Sequence, residues 1–427
     1  MNAGSYYAAT RREPAEYPAL HGQQRTRVVV VGGGYAGLAT ALGLAERGVH
    51  EVLLLEAQAI GYGASGRNGG FVFGGYSLGE AALRAAVGAD TARWMYQQTL
   101  DAVRLIRERI AREQIDCDPV DAGVLWANWF RDPEVLASRQ RLLRDQFGVD
   151  WTSVSPSALR EQLCTERYHG ALYEAGAFHV HPLNLALGLA RACSARGVRV
   201  HAGSPVLAIE RAGSHWRVQT PEASVSADEV VVAGGGYLNL LPPLRRALLP
   251  IATYVAVTEP LGERLAQAVR TRAAVYDSRF AFDYYRALPD SRLLWGGRIS
   301  ILDRSPAAVA RLLQRDIARV YPQLGRVRID YAWSGLMSYA RHEMPQIGRL
   351  PSGLWYAQAF GGHGVATTTA IGELLARAIA EGDQDWQRFA PFGLSPTWRP
   401  LGYLAAQANY SWLQARDWWK DRQSAGS

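Results

Sequence analysis

The chain of 427 residues has one lysine, Lys420, against 45 arginines, and three cysteines, Cys117, Cys164 and Cys193, with no C-x-x-C pair. Scattered cysteines in odd number build neither a disulfide framework nor a zinc site, and they fit a reducing compartment. No metal site is expected. The net charge is +7, but the arginines are dispersed, often beside acids, with no basic run of five. That is a solvated surface rather than a nucleic-acid stripe, so no nucleic-acid partner is expected. No apolar run reaches the ~18 residues of a membrane span. The most apolar window, Val28 to Ala45, is interrupted by Gly32, Gly33, Gly34, Gly37 and Gly43. Arg11 and Arg12 resemble a twin-arginine pair, yet Glu13, Pro14 and Glu16 follow where an export signal needs an apolar segment. A cytoplasmic location is expected. At 48% apolar and 20% charged residues the composition is ordinary for a globular chain, and the length suggests two or three domains.

What is present begins at Arg27. In RVVVVGGGYAGLATALGLAERG, four valines read as a buried parallel strand, and Gly32, Gly34 and Gly37 have G-x-G-x-x-G spacing before a helix. A second apolar strand, Val52 to Leu55, ends at Glu56, 19 residues after Gly37. Strand, glycine turn, helix, strand and acid together form a dinucleotide-binding βαβ unit. Gly32 permits the tight turn, Gly34 lets backbone approach a pyrophosphate, and Gly37 lets helix and strand pack closely. The freed N–H groups and the helix dipole face the phosphates. Glu56 can accept both ribose hydroxyls and repels a 2′-phosphate, which disfavours NADP.

Residues 1–24, with Ser5, Tyr6 and Tyr7, read as an extended arm. Gly61 to Gly70 is too glycine-rich for regular structure, and Glu80 to Arg112 has helical apolar spacing. A helix over Asn184 to Gly197 precedes short β runs. The last of these, EVVVAGGG, suggests a strand that re-enters the nucleotide sheet at Gly234 and Gly235. From Pro250 to Trp333, alternating aromatic and β-branched segments fit an antiparallel sheet, with a helix over Arg304 to Tyr321 capped by Ser305. Leu354 to Gly382 is a second strand, glycine turn and helix. Leu404 to Trp419 can form an amphipathic helix. Docking on its own domain is favoured over a peripheral membrane contact.

Several segments together resemble the D-amino-acid oxidase-type flavoprotein family, and most of all its γ-glutamylputrescine oxidoreductase-like branch. They are the SYY arm, the first glycine loop, LLEA with IGYGASGRNGG, YDSRFAFDYYRALPDSRLLWGG, and PQIGRLPSGLWYAQAFGGHGVATTTAIGELLA. The resemblance implies an α/β fold: a discontinuous Rossmann-like FAD-binding domain (25–85, 150–248 and 340–390) with an α+β substrate domain on an antiparallel sheet (86–149 and 249–339), and an aromatic helical tail (391–427). It implies FAD on Gly32, Gly34, Tyr35, Ala36, Gly37, Glu56 and Ala57. It also implicates the loop Gly63, Ala64, Ser65, Arg67, Asn68, Gly69 and Gly70, the adenine contact Val206, and the strand end Gly234 and Gly235. The second glycine turn, Gly361, Gly362, His363, Gly364, Val365 and Ala366, would aim N–H groups at the flavin pyrimidine edge. A helix start there stabilises the negative charge of a reduced flavin, and Arg67 and His363 could add positive charge.

Some relatives attach the flavin through a cysteine near the second glycine turn or a histidine near the first loop. Neither is present, so non-covalent FAD is expected. Relatives that use a lysine to promote oxygen reduction have no counterpart here, since Lys420 lies in the tail, and the acceptor is oxygen or a quinone or other carrier. Phe71 stands where the branch suggests a polar residue, which touches the substrate assignment. The expected reaction is hydride transfer from the carbon beside a neutral amine to the flavin, giving an imine that hydrolyses. Arg67, His363 and Tyr285 are the candidate catalytic residues. Candidate pocket residues are Phe71, Phe73, Tyr284, Trp295, Trp333 and Met337, with Arg286 or Arg298 as possible carboxylate clamps. A polyamine or γ-glutamylputrescine-like amine is favoured. A D-amino-acid or secondary-amino-acid oxidase or dehydrogenase is the alternative, and flavin-dependent tRNA-base modification the next. An NAD(P)H-driven reductase would need a second dinucleotide fingerprint.

Overall fold

The valine run lies where its composition sends it, in the middle of a sheet covered on both faces. The computed structural model describes residues 4–13, 16–237, 240–399 and 401–423. In it the strand Gly22–Val31 pairs in parallel with Ala223–Val232 on one side and Val52–Leu55 on the other. Arg199–His201 and Trp355–Gln358 extend the sheet outward, also in parallel. Gln346–Arg349 closes one edge antiparallel, and the hairpin Ala208–Ala212 with His215–Gln219 pairs onto Ala223–Val232. Val28, Val29 and Val30 are fully buried, as parallel strands covered on both faces require.

Two helices that start at glycine turns lie against each other on this sheet. Tyr35–Glu46 meets Gly364–Glu381 so closely that a Cβ on Gly372 would stand 2.6 Å from that of Ala39. A third helix, Ala89–Arg112, adds Arg109, whose guanidinium lies 2.5 Å from both Glu46 and Glu373. The long helix expected from Glu80 is two: Glu80–Val87 ends at Gly88, whose φ of +80° turns the chain before the next begins.

The second sheet runs Ile329–Tyr339, Leu249–Thr258, Leu293–Ser300, Tyr284–Ala287, Ala274–Asp277, Val124–Ala127, Ala171–Glu174, Thr152–Val154. It is antiparallel except where Ala274–Asp277 and Val124–Ala127 run together. Because Thr152–Val154 and Ala171–Glu174 pair here, the domain boundary expected at 150 falls later, before Phe178. Helix Pro306–Val320, capped by Ser305 as expected, packs on this sheet.

The N-terminal segment is not simply extended. Ser5 caps a single helical turn, Tyr6–Ala9, that buries Tyr6 and Tyr7. Residues 1–3 and 14–15 of the expected arm, and 400 and 424–427 of the expected tail, lie outside the described residues. Helix Leu401–Gln423 docks through mixed contacts: Tyr410 packs on Phe280 at 5.6 Å, Asp417 accepts from the Phe280 N–H at 2.7 Å, and Asp421 pairs with Arg167 at 2.5 Å. Leu401, Leu404, Trp412 and Trp419 face outward while Tyr410 faces inward, so the expected amphipathic stripe is not formed. Among the described residues no helix is long and apolar enough to cross a membrane.

Candidate cofactor and substrate site

A cavity of about 1080 Å³ is lined by residues of both sheets and reaches from Glu56 to His363. At its first end, Gly32 has φ +118°, and a Cβ there would stand 2.6 Å from the Ala233 carbonyl oxygen. A Cβ on Gly34 would stand 3.0 Å from Ser65 Oγ. Gly32, Gly34, Tyr35 and Ala36 line the cavity. Gly37 does not: its Cβ would overlap the Gly32 carbonyl oxygen at 1.9 Å, so its part is the close packing of helix on strand. Glu56 accepts from the N–H of Gly33 at 2.7 Å and of Gln58 at 2.9 Å. Burial pushes its pKa up, and these backbone donors pull it back. Ala57 and Val206 line the same end, as do Gly234 and Gly235 beyond the strand Ala223–Val232.

The loop that follows the second strand forms the middle of the wall, at Gly63, Ala64, Ser65, Arg67, Asn68 and Gly69. Asn68 locks it: its Nδ2 donates to the carbonyls of Ala64 and Ser65, and its Oδ1 accepts from the Gly70 N–H at 2.8 Å. Ser65 Oγ accepts from the Tyr35 N–H at 2.9 Å and so bridges loop and first turn. Arg67 donates to the carbonyls of Tyr62 and Ser334. Gly70, expected at the cofactor, lies outside the cavity against the Val180 carbonyl, 2.1 Å from where its Cβ would be.

The far end is the start of helix Gly364–Glu381. Gly361, Gly362, His363, Gly364, Val365 and Ala366 all line the cavity, and His363, the N-cap, makes no side-chain cap. Gly362 N–H donates to Ser77 Oγ at 2.9 Å. Burial, with the Arg139 guanidinium, lowers the His363 pKa to about 4. In this cavity His363 is therefore held in its neutral form at pH 7.

On the side of the second sheet, Phe71, Phe73, Tyr284 and Met337 line the cavity. Phe71 meets Tyr284 edge-on at 5.6 Å, and Phe73 meets His363 edge-on at 5.0 Å. Arg298 also lines it, but its guanidinium is taken by Asp316, at 2.9 and 2.5 Å. Four expected residues lie elsewhere. Tyr285 and Trp295 face the opposite side of the sheet, stacked at 4.3 Å, with Tyr285 hydrogen-bonded to the Tyr321 hydroxyl at 2.8 Å. Trp333 stands behind the loop and donates to the Arg67 carbonyl at 2.9 Å. Arg286 braces the loop from outside the cavity, donating to the carbonyls of Gly69 at 2.9 Å and Val180 at 2.8 Å.

The family model described as FAD dependent oxidoreductase (DAO) matches residues 27–378, which carry all three walls of this cavity. The chain belongs to this family. It is 37% identical to the gamma-glutamylputrescine oxidoreductase of Escherichia coli (strain K12) over 398 residues, 92% of each chain. It is 32% identical to the probable oxidoreductase OrdL of Haemophilus influenzae over 387 residues, 89% of each. The solved glycine oxidase of Geobacillus kaustophilus shares the fold, with a TM-score of 0.72 at 23% identity, covering 87% of this chain and 99% of that one.

As a member of the DAO family the chain is an FAD-dependent oxidoreductase, and its residues fit that cofactor. The cavity is one continuous space, its first turn leaves no room for a side chain at Gly32 and little at Gly34, and its far end is a helix start without a side-chain cap. Sequence reasoning missed Glu80, Trp126, Arg139 and Tyr276, which line the cavity from four separate elements. It also missed Arg279, held between Asp277 and Asp283 at 2.6 Å each. No local motif joins these residues. For Tyr276 alone, strand alternation in AVYD gave a signal.

Proposed function

We propose that this DAO-family enzyme oxidises the C–N bond of a primary or secondary amine, with a γ-glutamylputrescine-like ω-amine as its favoured substrate class. The observation that carries the reading is the aromatic wall of Phe71, Phe73 and Tyr284 directly beside the start of helix Gly364–Glu381. Such a wall holds a neutral amine by its alkyl chain and, through ring faces, tolerates its cationic form. The identity to the E. coli relative supports the same class.

FAD, when bound, supplies the hydride acceptor. Gly32, Gly34, Tyr35 and Ala36 would hold its pyrophosphate, Glu56 its adenosine ribose and Val206 its adenine. Gly361 to Ala366 would face its pyrimidine edge, with Arg67 and Asn68 shaping the loop between. The substrate carbon loses a hydride and the amine nitrogen a proton, which leaves an imine; water then releases a carbonyl compound and ammonia or an amine. Arg286 and Arg298, the two arginines expected as carboxylate clamps, are taken by carbonyls and by Asp316. Cys117, Cys164 and Cys193 all lie off the cavity, in keeping with non-covalent FAD.

The test is anaerobic titration of the purified yellow protein with γ-glutamylputrescine, putrescine, glycine and D-alanine. Flavin bleaching by the ω-amines ahead of the amino acids is expected. Bleaching by glycine or D-alanine alone overturns the substrate class, and a protein that takes up no FAD overturns the reading entirely. Re-exposure of the bleached protein to air then distinguishes oxygen from a quinone or carrier as acceptor.

A further inference from the structure

Beyond Phe73 the cavity wall turns polar. Glu80, Arg139 and Tyr276 line it there, with Phe73 stacked on Tyr276 at 5.6 Å on one side and against His363 on the other. The other arginines that line the cavity are engaged. Arg279 is held by two carboxylates, Arg298 by Asp316, and Arg67 donates to two carbonyls.

Arg139 is different. Its guanidinium lies between the rings of Trp126 and Trp151, 4.3 and 4.9 Å from their centroids, so only its edge is open to hydrogen bonds. One Nη donates to Glu80 at 2.9 Å. The buried Nε makes no hydrogen bond among the described residues, and the hydroxyl of Tyr276, a residue only 6% exposed, lies beside the same guanidinium. Buried donors left unpaired are costly, and an arginine edge is matched by a carboxylate. Glu80, held below the usual carboxylate range by the Arg139 guanidinium despite its burial, puts a negative charge beside that positive edge.

We propose that Glu80, Arg139 and Tyr276 bind the zwitterionic α-amino-acid end of the substrate. Arg139 and the Tyr276 hydroxyl take its carboxylate, and Glu80 takes its ammonium. The inference rests on the amine-oxidation reading and narrows it to ω-amines that carry an amino-acid head remote from the reacting carbon. γ-Glutamylputrescine has that structure; putrescine lacks the head, and glycine places the carboxylate on the reacting carbon itself.

Two measurements on the FAD-loaded protein test it. The first is kcat/KM for γ-glutamylputrescine and for putrescine in the wild type, Tyr276→Phe and Arg139→Met. The ratio of the two should fall about 10- to 100-fold in either variant, the range for losing a hydrogen bond to a charged group. Y276F removes one hydroxyl and leaves the Arg139–Glu80 pair in place, so it keeps the test open if R139M fails to fold. The second is binding of N5-butylglutamine, which has the head but no ω-amine to oxidise, read as a change in the flavin spectrum. It should bind the wild type and weaken by the same factors in the variants. Equal binding to wild type and variants, or an unchanged ratio, overturns the head site. If no amine bleaches the flavin while butylglutamine still binds in an Arg139-dependent way, the head site stands and the amine-oxidation reading falls.

Discussion

The ring of Tyr284 occupies the space that a side chain on Gly296 would need: a Cβ there would stand 2.0 Å from Tyr284 Cζ. The two residues are cross-strand partners. Gly69, on the opposing loop, leaves the ring the same freedom, with its Cβ position 2.5 Å from the ring edge. Gly296→Ala should therefore drive Tyr284 into the cavity. The expected result is a stability loss of about 1–3 kcal/mol and a raised KM for the amine. The double variant with Tyr284→Ala should recover much of the melting temperature without recovering KM.

Gly37→Ala is the harsher change. Its Cβ would meet a backbone carbonyl, that of Gly32, which cannot rotate away. The flavin-to-protein ratio of the purified variant should fall close to zero. Gly34→Ala, opposed only by the Ser65 hydroxyl at 3.0 Å, should retain more flavin, and adding Ser65→Ala should restore part of the rest.

Glu56→Ala leaves the Gly33 N–H without its acceptor and removes the acid at the adenosine end. Loss of charge-assisted hydrogen bonds worth about 1.5–3 kcal/mol predicts FAD binding weaker by about 10- to 100-fold, measurable by fluorescence titration of the apoprotein. An unchanged Kd would place the ribose elsewhere.

Glu174 gives a pH test. It is buried, its Oε1 accepts only a long bond from the Gly74 N–H at 3.4 Å, and its Oε2 has no partner among the described residues. Burial raises its pKa from 4.5 to about 7, against the pull of the Gly74 N–H and Arg139. The folded state thus holds the proton more tightly than the unfolded chain. Its stabilising contribution is complete below pH 4.5 and is lost as pH rises through 7, to the order of 3 kcal/mol. Thermal melts of wild type and Glu174→Gln should diverge over that window, with the wild type losing ground. Parallel curves would show that Glu174 titrates normally.

The cofactor half was legible because its signals are local. Gly32, Gly34 and Glu56 sit within one βαβ unit, and Gly361 to Ala366 within one turn, so spacing along the chain is close to spacing in the fold. The substrate half was not. Tyr284 and Tyr285 were both expected at the pocket, yet neighbours on a strand face opposite sides. Pairing with Trp295 then commits Tyr285 to the outer layer. Arg286 and Arg298 carried the right chemistry for a clamp, but carbonyls and Asp316 claim them, and only tertiary structure reveals such partners. Glu80, Arg139 and Tyr276 come from two helices and a strand with no common motif. In the last helix, the aromatic residues suggested a stripe, yet they point to both the outer and the docked side.

Arg109 has a consequence for how the cofactor half behaves as a mechanical unit. Tyr35–Glu46 and Gly364–Glu381 begin at opposite ends of the cavity, and one buried cation fastens Glu46 of the first to Glu373 of the second. The helices act as the legs of a pair of calipers with that guanidinium as the pivot. The span between the two glycine turns is then held by contacts remote from both, with Arg47 to Glu373 and the Gly372–Ala39 packing beside that pivot. A change at Arg109 would misjudge the length of the cofactor rather than the chemistry at either end.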